Sequence, residues 1–125
     1  MTELHGECMC GAVTVTATPA RAALGACHCD MCRRWTSSAY VSFPVEPGYA
    51  ALGPVEVYRS SDWAERGFCK ECGASLFFRP LGKGIIEVAP GSIDGPTGTM
   101  LAGHNFVGLK GDYYELADGL PQRQD

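Results

Sequence analysis

This 125-residue chain has few charges, no long apolar run and no basic run longer than Arg33-Arg34. Each shortage excludes something. Without a bilayer-length apolar stretch, no spanning helix is expected. With ten basic against fourteen acidic side chains, the net charge of -4 has the wrong sign for a generic nucleic-acid or anionic-membrane binder. The opening residues MTELHGECMC carry no basic segment followed by an apolar one, so no secretory signal is expected and a cytoplasmic address is the default. Sixteen glycines and eight prolines leave no room for a long helix. Hydrophobic residues nevertheless make up 46% of the chain. That is enough for one domain over residues 1–125, burying roughly two-thirds of its unfolded surface.

What the chain does have is cysteine, in an arrangement that argues against disulfides. Seven is an odd count, and a reducing compartment disfavours a disulfide framework. The seven fall into three short groups: Cys8-Met9-Cys10, Cys27-His28-Cys29 running on to Cys32, and Cys69-Lys70-Glu71-Cys72. Paired thiolates at turn spacing are how zinc is held, so metal is the expected use. The groups at CMCGAVTV and CKECGASLFF look alike, because each runs from paired cysteines into Gly-Ala and then a β-rich stretch. In such a knuckle the residue after the second cysteine often needs a positive φ, which Gly11 and Gly73 supply without a Cβ penalty. Cys8, Cys10, Cys69 and Cys72 are therefore assigned to one closed tetrahedral site. It staples the first strand to the middle of the chain and is worth ~10 kcal/mol or more to folding. Pairing Cys29 and Cys32 with Cys69 and Cys72, as in a zinc ribbon, is the competing partition.

The preferred partition leaves Cys27, Cys29 and Cys32 as a set of three. Three protein ligands with one open position are the mark of a ligand-exchanging zinc, and soft thiolate coordination suits an exogenous thiol. Three thiolates on a dication leave a charge of -1, which nearby cations must offset; Arg33 and Arg34 follow directly in sequence. His28 lies inside the cluster, but in an extended 27–29 segment it points away from the face carrying Cys27 and Cys29. His5 and His104 are expected to be surface or hydrogen-bonded residues before they are ligands. Trp35 and Trp63 are candidate walls for a pocket beside the open metal position.

The remainder reads as strands and turns. AVTVTAT (Ala12 to Thr18) alternates Val13, Val15 and Ala17 against threonines and stops at Pro19. SAYVSFPV, VEVYRS, SLFFRP and GIIEVAPGSI are further strand-like runs. The one good helical candidate runs from Asp30 to about Ser37, with Asp30 at its N-terminal end. An all-β domain of short twisted antiparallel sheets bridged by zinc follows.

The order Cys-x-Cys-Gly, Cys-His-Cys-x-x-Cys-Arg and Cys-x-x-Cys-Gly, closing in GHNFVGLKGDYYELADGLPQ, resembles the glutathione-dependent formaldehyde-activating family, which includes centromere protein V-like proteins. The resemblance spans about residues 5 to 122 and implies a β-tent fold. It also implies a structural zinc on Cys8, Cys10, Cys69 and Cys72 and a second zinc on Cys27, Cys29 and Cys32. This chain departs from the family at Asn105, inside its late His-x-Phe-Val segment, and at Tyr113 or Tyr114, where Trp is common. The implied activity is a carbon–sulfur lyase reaction in reverse: formation of S-hydroxymethylglutathione from glutathione and formaldehyde. Cys27, Cys29 and Cys32 would engage the thiol while Arg33 or Arg34 receives a carboxylate. Two other readings stand beside it. In one, a non-catalytic module binds another protein and an internal ligand such as His28 or His104 closes its second metal site. In the other, the CxxC pairs form a redox switch.

Overall fold

The computed structural model describes Met1–Asp125. Its elements are β1 (Leu4–Glu7), β2 (Thr14–Ala17), β3 (Ala23–Cys27), α1 (Asp30–Thr36), β4 (Tyr40–Pro44), β5 (Ala50–Leu52), β6 (Val55–Ser61), β7 (Ala64–Cys69), β8 (Ser75–Pro80), β9 (Glu87–Val88) and β10 (Met100–Asn105). Single helical turns lie at Pro90–Ser92 and Val107–Leu109. The strands form two sheets. A small one is ordered β1-β2-β5, and a seven-stranded one is ordered β10-β3-β4-β9-β8-β7-β6. Every pairing is antiparallel except β10 on β3, which is parallel, so the larger sheet is mixed. The fold is all-β, as expected.

The alternation read in AVTVTAT holds: Val13, Val15 and Ala17 are buried while Thr14 is exposed. Of the long run GIIEVAPGSI only Glu87–Val88 pairs as a strand, because Pro90 has no N–H to donate and turns the chain instead. No helix is long and apolar enough to cross a membrane.

Alternation in the large sheet separates core from cavity. Phe43 lies opposite Val88, and Val88 opposite Phe77. All three are buried and join Val13, Val15 and Leu76 in the core. Burying side chains of this size is worth ~1.5–3 kcal/mol each. One residue along, on the other face, Arg66 lies opposite Phe78, Phe78 opposite Glu87, and Glu87 opposite Pro44. Because side chains alternate, Tyr40 and Ser42 share that face with Pro44. The register Ser42–Gly25 and Tyr40–Cys27 extends it to β3, and Cys27–Asn105 extends it to β10. One face of the sheet thus packs the interior while the other collects polar and sulfur-bearing side chains.

Candidate metal centres and the cavity beside them

The cysteines gather into two groups, Cys8/Cys10/Cys69/Cys72 and Cys27/Cys29/Cys32, with the sulfurs of each group within 4.8 Å of one another. The zinc-ribbon pairing of Cys29 and Cys32 with Cys69 and Cys72 is not what the fold assembles.

The four-cysteine centre is made of two matched turns. In the first, Cys8 N–H donates to Val13 O at 3.0 Å and Gly11 N–H returns to Cys8 O at 3.1 Å. In the second, Cys69 N–H donates to Ala74 O at 3.0 Å and Gly73 N–H to Cys69 O at 2.8 Å. Gly11 (φ 82°) and Gly73 (φ 78°) take the left-handed conformation that closes each turn. Backbone N–H groups then point at sulfur: Val13 N to Cys8 Sγ at 3.2 Å, and Cys72 N to Cys69 Sγ at 3.5 Å. The Cys8–Cys10 and Cys10–Cys69 sulfur separations are 3.6 and 3.9 Å. A tetrahedral metal with ~2.3 Å metal–sulfur bonds requires sulfur–sulfur edges of roughly 3.8 Å, so the donors fit such an ion. The Cys8 thiol is desolvated, yet hydrogen bonds from Val13, Cys10 and Cys69 outweigh that burial and lower it to about 6.

The three-cysteine centre is built at the junction of β3 and α1. Cys27 ends β3, Cys29 is the residue before the helix, and Cys32 lies in the first turn. The cap of α1 is the Cys29 sulfur, which accepts from Cys32 N–H at 3.5 Å. Asp30, expected at the helix start, is the first residue of α1. Cys29 and Cys32 share a helix face because they are three residues apart. The thiols share protons unequally. Cys32 is lowered to about 6, chiefly by its hydrogen bond with Cys27 and then, against burial, by Arg66; Cys27 is raised for the reciprocal reason.

The predicted cation is in the wrong place. Arg33 leaves the cluster and pairs with Asp30 at 3.4 Å, and Arg34 lines an adjoining groove and not the cavity described below. The Arg33 guanidinium is taken by Asp30, three residues back on the helix, instead of reaching a sulfur. The cation at the sulfurs is Arg66 of β7, whose Nη1 and Nη2 lie 3.6 and 3.7 Å from Cys32 Sγ. Sequence reasoning missed it because Ala64-Glu65-Arg66-Gly67-Phe68-Cys69 has no β-branched residue to announce a strand. The available signal was alternation, which sets Arg66 with Ala64 and Phe68, opposite Glu65 and Gly67.

Beside the three sulfurs opens a cavity of about 370 Å³. Apolar walls come from Met31, Trp63, Phe78 and Phe106, and polar groups from Arg21, Ser42, Glu87 and Asn105. Trp63 is a wall as expected, packing edge-on against Phe78. Trp35 is not a wall: its ring covers Arg66 and packs on Tyr40. Glu87 is the one acid in the lining, with Oε2 held by Ser42 Oγ–H at 3.1 Å and its backbone carbonyl by Tyr40 O–H at 2.8 Å.

His28 and His104 are buried and belong to neither sulfur group. Tyr114 Oη, His28, His104 and Asp118 form a chain of hydrogen bonds at 2.9, 2.9 and 2.8 Å. One proton arrangement satisfies it with both rings neutral. His104 Nε2–H donates to Asp118, His28 Nε2–H to His104 Nδ1, and Tyr114 O–H to His28 Nδ1. Burial, with help from His104 and Lys110, lowers His28, which agrees with a neutral ring. This chain fastens the C-terminal segment behind the Cys27–Cys29 turn. His5 is exposed and pairs with Glu3.

Comparison with known proteins gives three findings. The model of a family described as glutathione-dependent formaldehyde-activating enzyme matches residues 3–108. A Schizosaccharomyces pombe protein named as an uncharacterized lyase is 40% identical over 80 residues, 62% of this chain, and the chain covers 58% of that relative's length. A crystal structure of a Rhodobacter sphaeroides protein matches with a TM-score of 0.65 at 20% identity, over 74% of this chain and 90% of that one, which shows a common fold.

Proposed function

The chain belongs to the glutathione-dependent formaldehyde-activating family, and on that premise we propose that residues 1–125 form one enzyme domain joining a thiol to an aldehyde, a carbon–sulfur lyase reaction run in reverse. Glutathione and formaldehyde are the substrates this reading favours, with S-hydroxymethylglutathione as product. The observation that carries it is the trio of sulfurs bordering a cavity of about 370 Å³ with no fourth protein ligand beside them.

Zinc suits both donor sets, closed by Cys8, Cys10, Cys69 and Cys72 and left open by Cys27, Cys29 and Cys32, where it would supply a position that stabilises an incoming sulfur as thiolate. The chain's own residues do the rest. Glu87 accepts the thiol proton at Oε1, the oxygen that Ser42 leaves free. The sulfur lone pair forms the new S–C bond as the C=O π bond breaks, and the electron pair moves to oxygen. That oxygen takes the proton back from Glu87, so nothing is oxidised and no proton is consumed. Met31, Trp63, Phe78 and Phe106 give the aldehyde carbon an apolar surround, and Arg21 and Asn105 offer donors to the carboxylates and amides of a peptide thiol. Arg21 therefore takes the carboxylate-binding role first given to Arg33 or Arg34. Asn105, the departure from the family's late segment, puts an amide into this lining.

The alternative of a non-catalytic protein-binding module expects an internal ligand such as His28 or His104 to close the second site; both histidines spend their ring nitrogens on each other and on Tyr114 and Asp118. The test is a glutathione titration of the cobalt-substituted protein, with adduct formation followed by proton NMR. A changed cobalt spectrum with accelerated adduct formation is expected. Neither change at saturating glutathione would overturn the reading.

A further inference from the structure

Arg66 has no acidic partner to account for its burial. Its residue is 5% exposed, yet the four ion pairs of the molecule all involve other side chains. The guanidinium lies 4.9 Å from the ring centres of both Trp35 and Phe78, and its Nε is buried with no hydrogen-bond partner. An arginine keeps its charge under protein conditions, and a buried charge without a counter-charge is strongly destabilising. Its side-chain hydrogen bonds go to sulfur: both terminal nitrogens reach Cys32 Sγ, at 3.6 and 3.7 Å. The counter-charge of Arg66 is therefore the three-cysteine centre itself.

Charge addition then shows what the arginine does for a ligand. Three thiolates on a dication carry -1, and Arg66 brings the assembly to zero. A fourth, anionic ligand raises the magnitude only to -1 when Arg66 is present, but to -2 without it. A neutral ligand leaves the total unchanged in either case, so Arg66 acts on ligands according to their charge. Its position is fixed as well as its charge. Arg66 forms the wall between the cavity and a second groove lined by Met31, Arg34, Trp35 and Tyr58, and the two aromatic rings hold the guanidinium against swinging out through that groove.

We propose that Arg66 sets the ligand specificity of the three-cysteine centre, making its open position prefer an anionic ligand, such as a thiolate, over a neutral donor. This rests on the reading that the position accepts a thiol, and Arg66 acts through charge and through the placement of Cys32, as a positioning residue.

The test uses the whole chain loaded with cobalt, with its visible spectrum titrated by azide, imidazole and glutathione. Wild type is compared with Arg66→Gln, which keeps an N–H donor but loses the charge, and with Arg66→Lys, which restores the charge. Circular dichroism and metal content verify that each variant is folded and loaded. Arg66→Gln is expected to weaken azide and glutathione about tenfold or more while imidazole moves less than threefold, and Arg66→Lys to recover most of the loss. Equal weakening of azide and imidazole in Arg66→Gln, or no weakening of either, would overturn the proposal. Wild-type protein that binds azide but not glutathione would count against the thiol substrate, while the azide-to-imidazole ratio would still decide the role of Arg66.

Discussion

Cys8 and Cys69 are walled in by Val13, Leu76 and Phe77, whereas Cys27, Cys29 and Cys32 border a cavity with an arginine against one sulfur. Both centres start from closely spaced cysteines, so the ligand residue type does not separate them. The surroundings do. In the four-cysteine centre two turns of the same design, each closed by a left-handed glycine, bring four sulfurs together and aim backbone N–H groups at them. In the three-cysteine centre a strand end and a helix start supply three sulfurs, and the sheet face that carries Cys27 also carries Tyr40, Ser42, Glu87 and Arg66. A set of four donors, with Cys8 and Cys69 in the core, fits a fold-bearing role. An incomplete set beside a polar-floored cavity leaves room for chemistry.

The largest way to break this contrast is Cys69→Ser, which removes a fully buried sulfur from the core and one of four donors. It is expected to cost ~5 kcal/mol or more and to abolish a cooperative melt by circular dichroism. A variant that still melted cooperatively near the wild-type temperature would contradict a fold-bearing role for that centre. On the cavity side, Glu87→Gln is expected to slow adduct formation about 10²-fold, read by NMR kinetics. Retention of the full rate would remove Glu87 from the proton path.

Smaller effects sharpen the comparison. Gly73 has open space where a Cβ would sit, so Gly73→Ala meets backbone strain alone and should lower stability by ~1 kcal/mol in urea melts. The three-cysteine centre should not respond. Smallest of all, Arg33→Gln breaks only an exposed pair with Asp30, and both stability (within ~0.5 kcal/mol) and azide affinity should stay at wild-type values. A clear loss of azide affinity in that variant would return the charge role to the helix.

The paired cysteines, the need for positive φ at Gly11 and Gly73, and the alternating strand after Gly11 were all legible, because turn chemistry and period-two patterning are local. The cavity was not. Arg66, Glu87 and Asn105 come from three strands, and only the registers Arg66–Phe78–Glu87 and Cys27–Asn105 place them on a common face. Strand β10 carries a glycine, a histidine and an asparagine in a parallel pairing, and β7 lacks β-branched residues, so neither announced itself. Arg33 looked right for the opposite reason: it is near the sulfurs in sequence, but Asp30 takes its guanidinium.

If one cysteine centre holds the fold and the other is dispensable to it, the direct measurement is zinc per chain in anaerobically purified wild type and Cys29→Ser, with circular dichroism on both. Serine is itself a good helix cap, so the loss of the Cys29 sulfur at α1 should not by itself unravel the helix. Two zinc ions should fall to one with the dichroism and the melt retained. Loss of the fold in Cys29→Ser, or the same zinc content in both proteins, would contradict it.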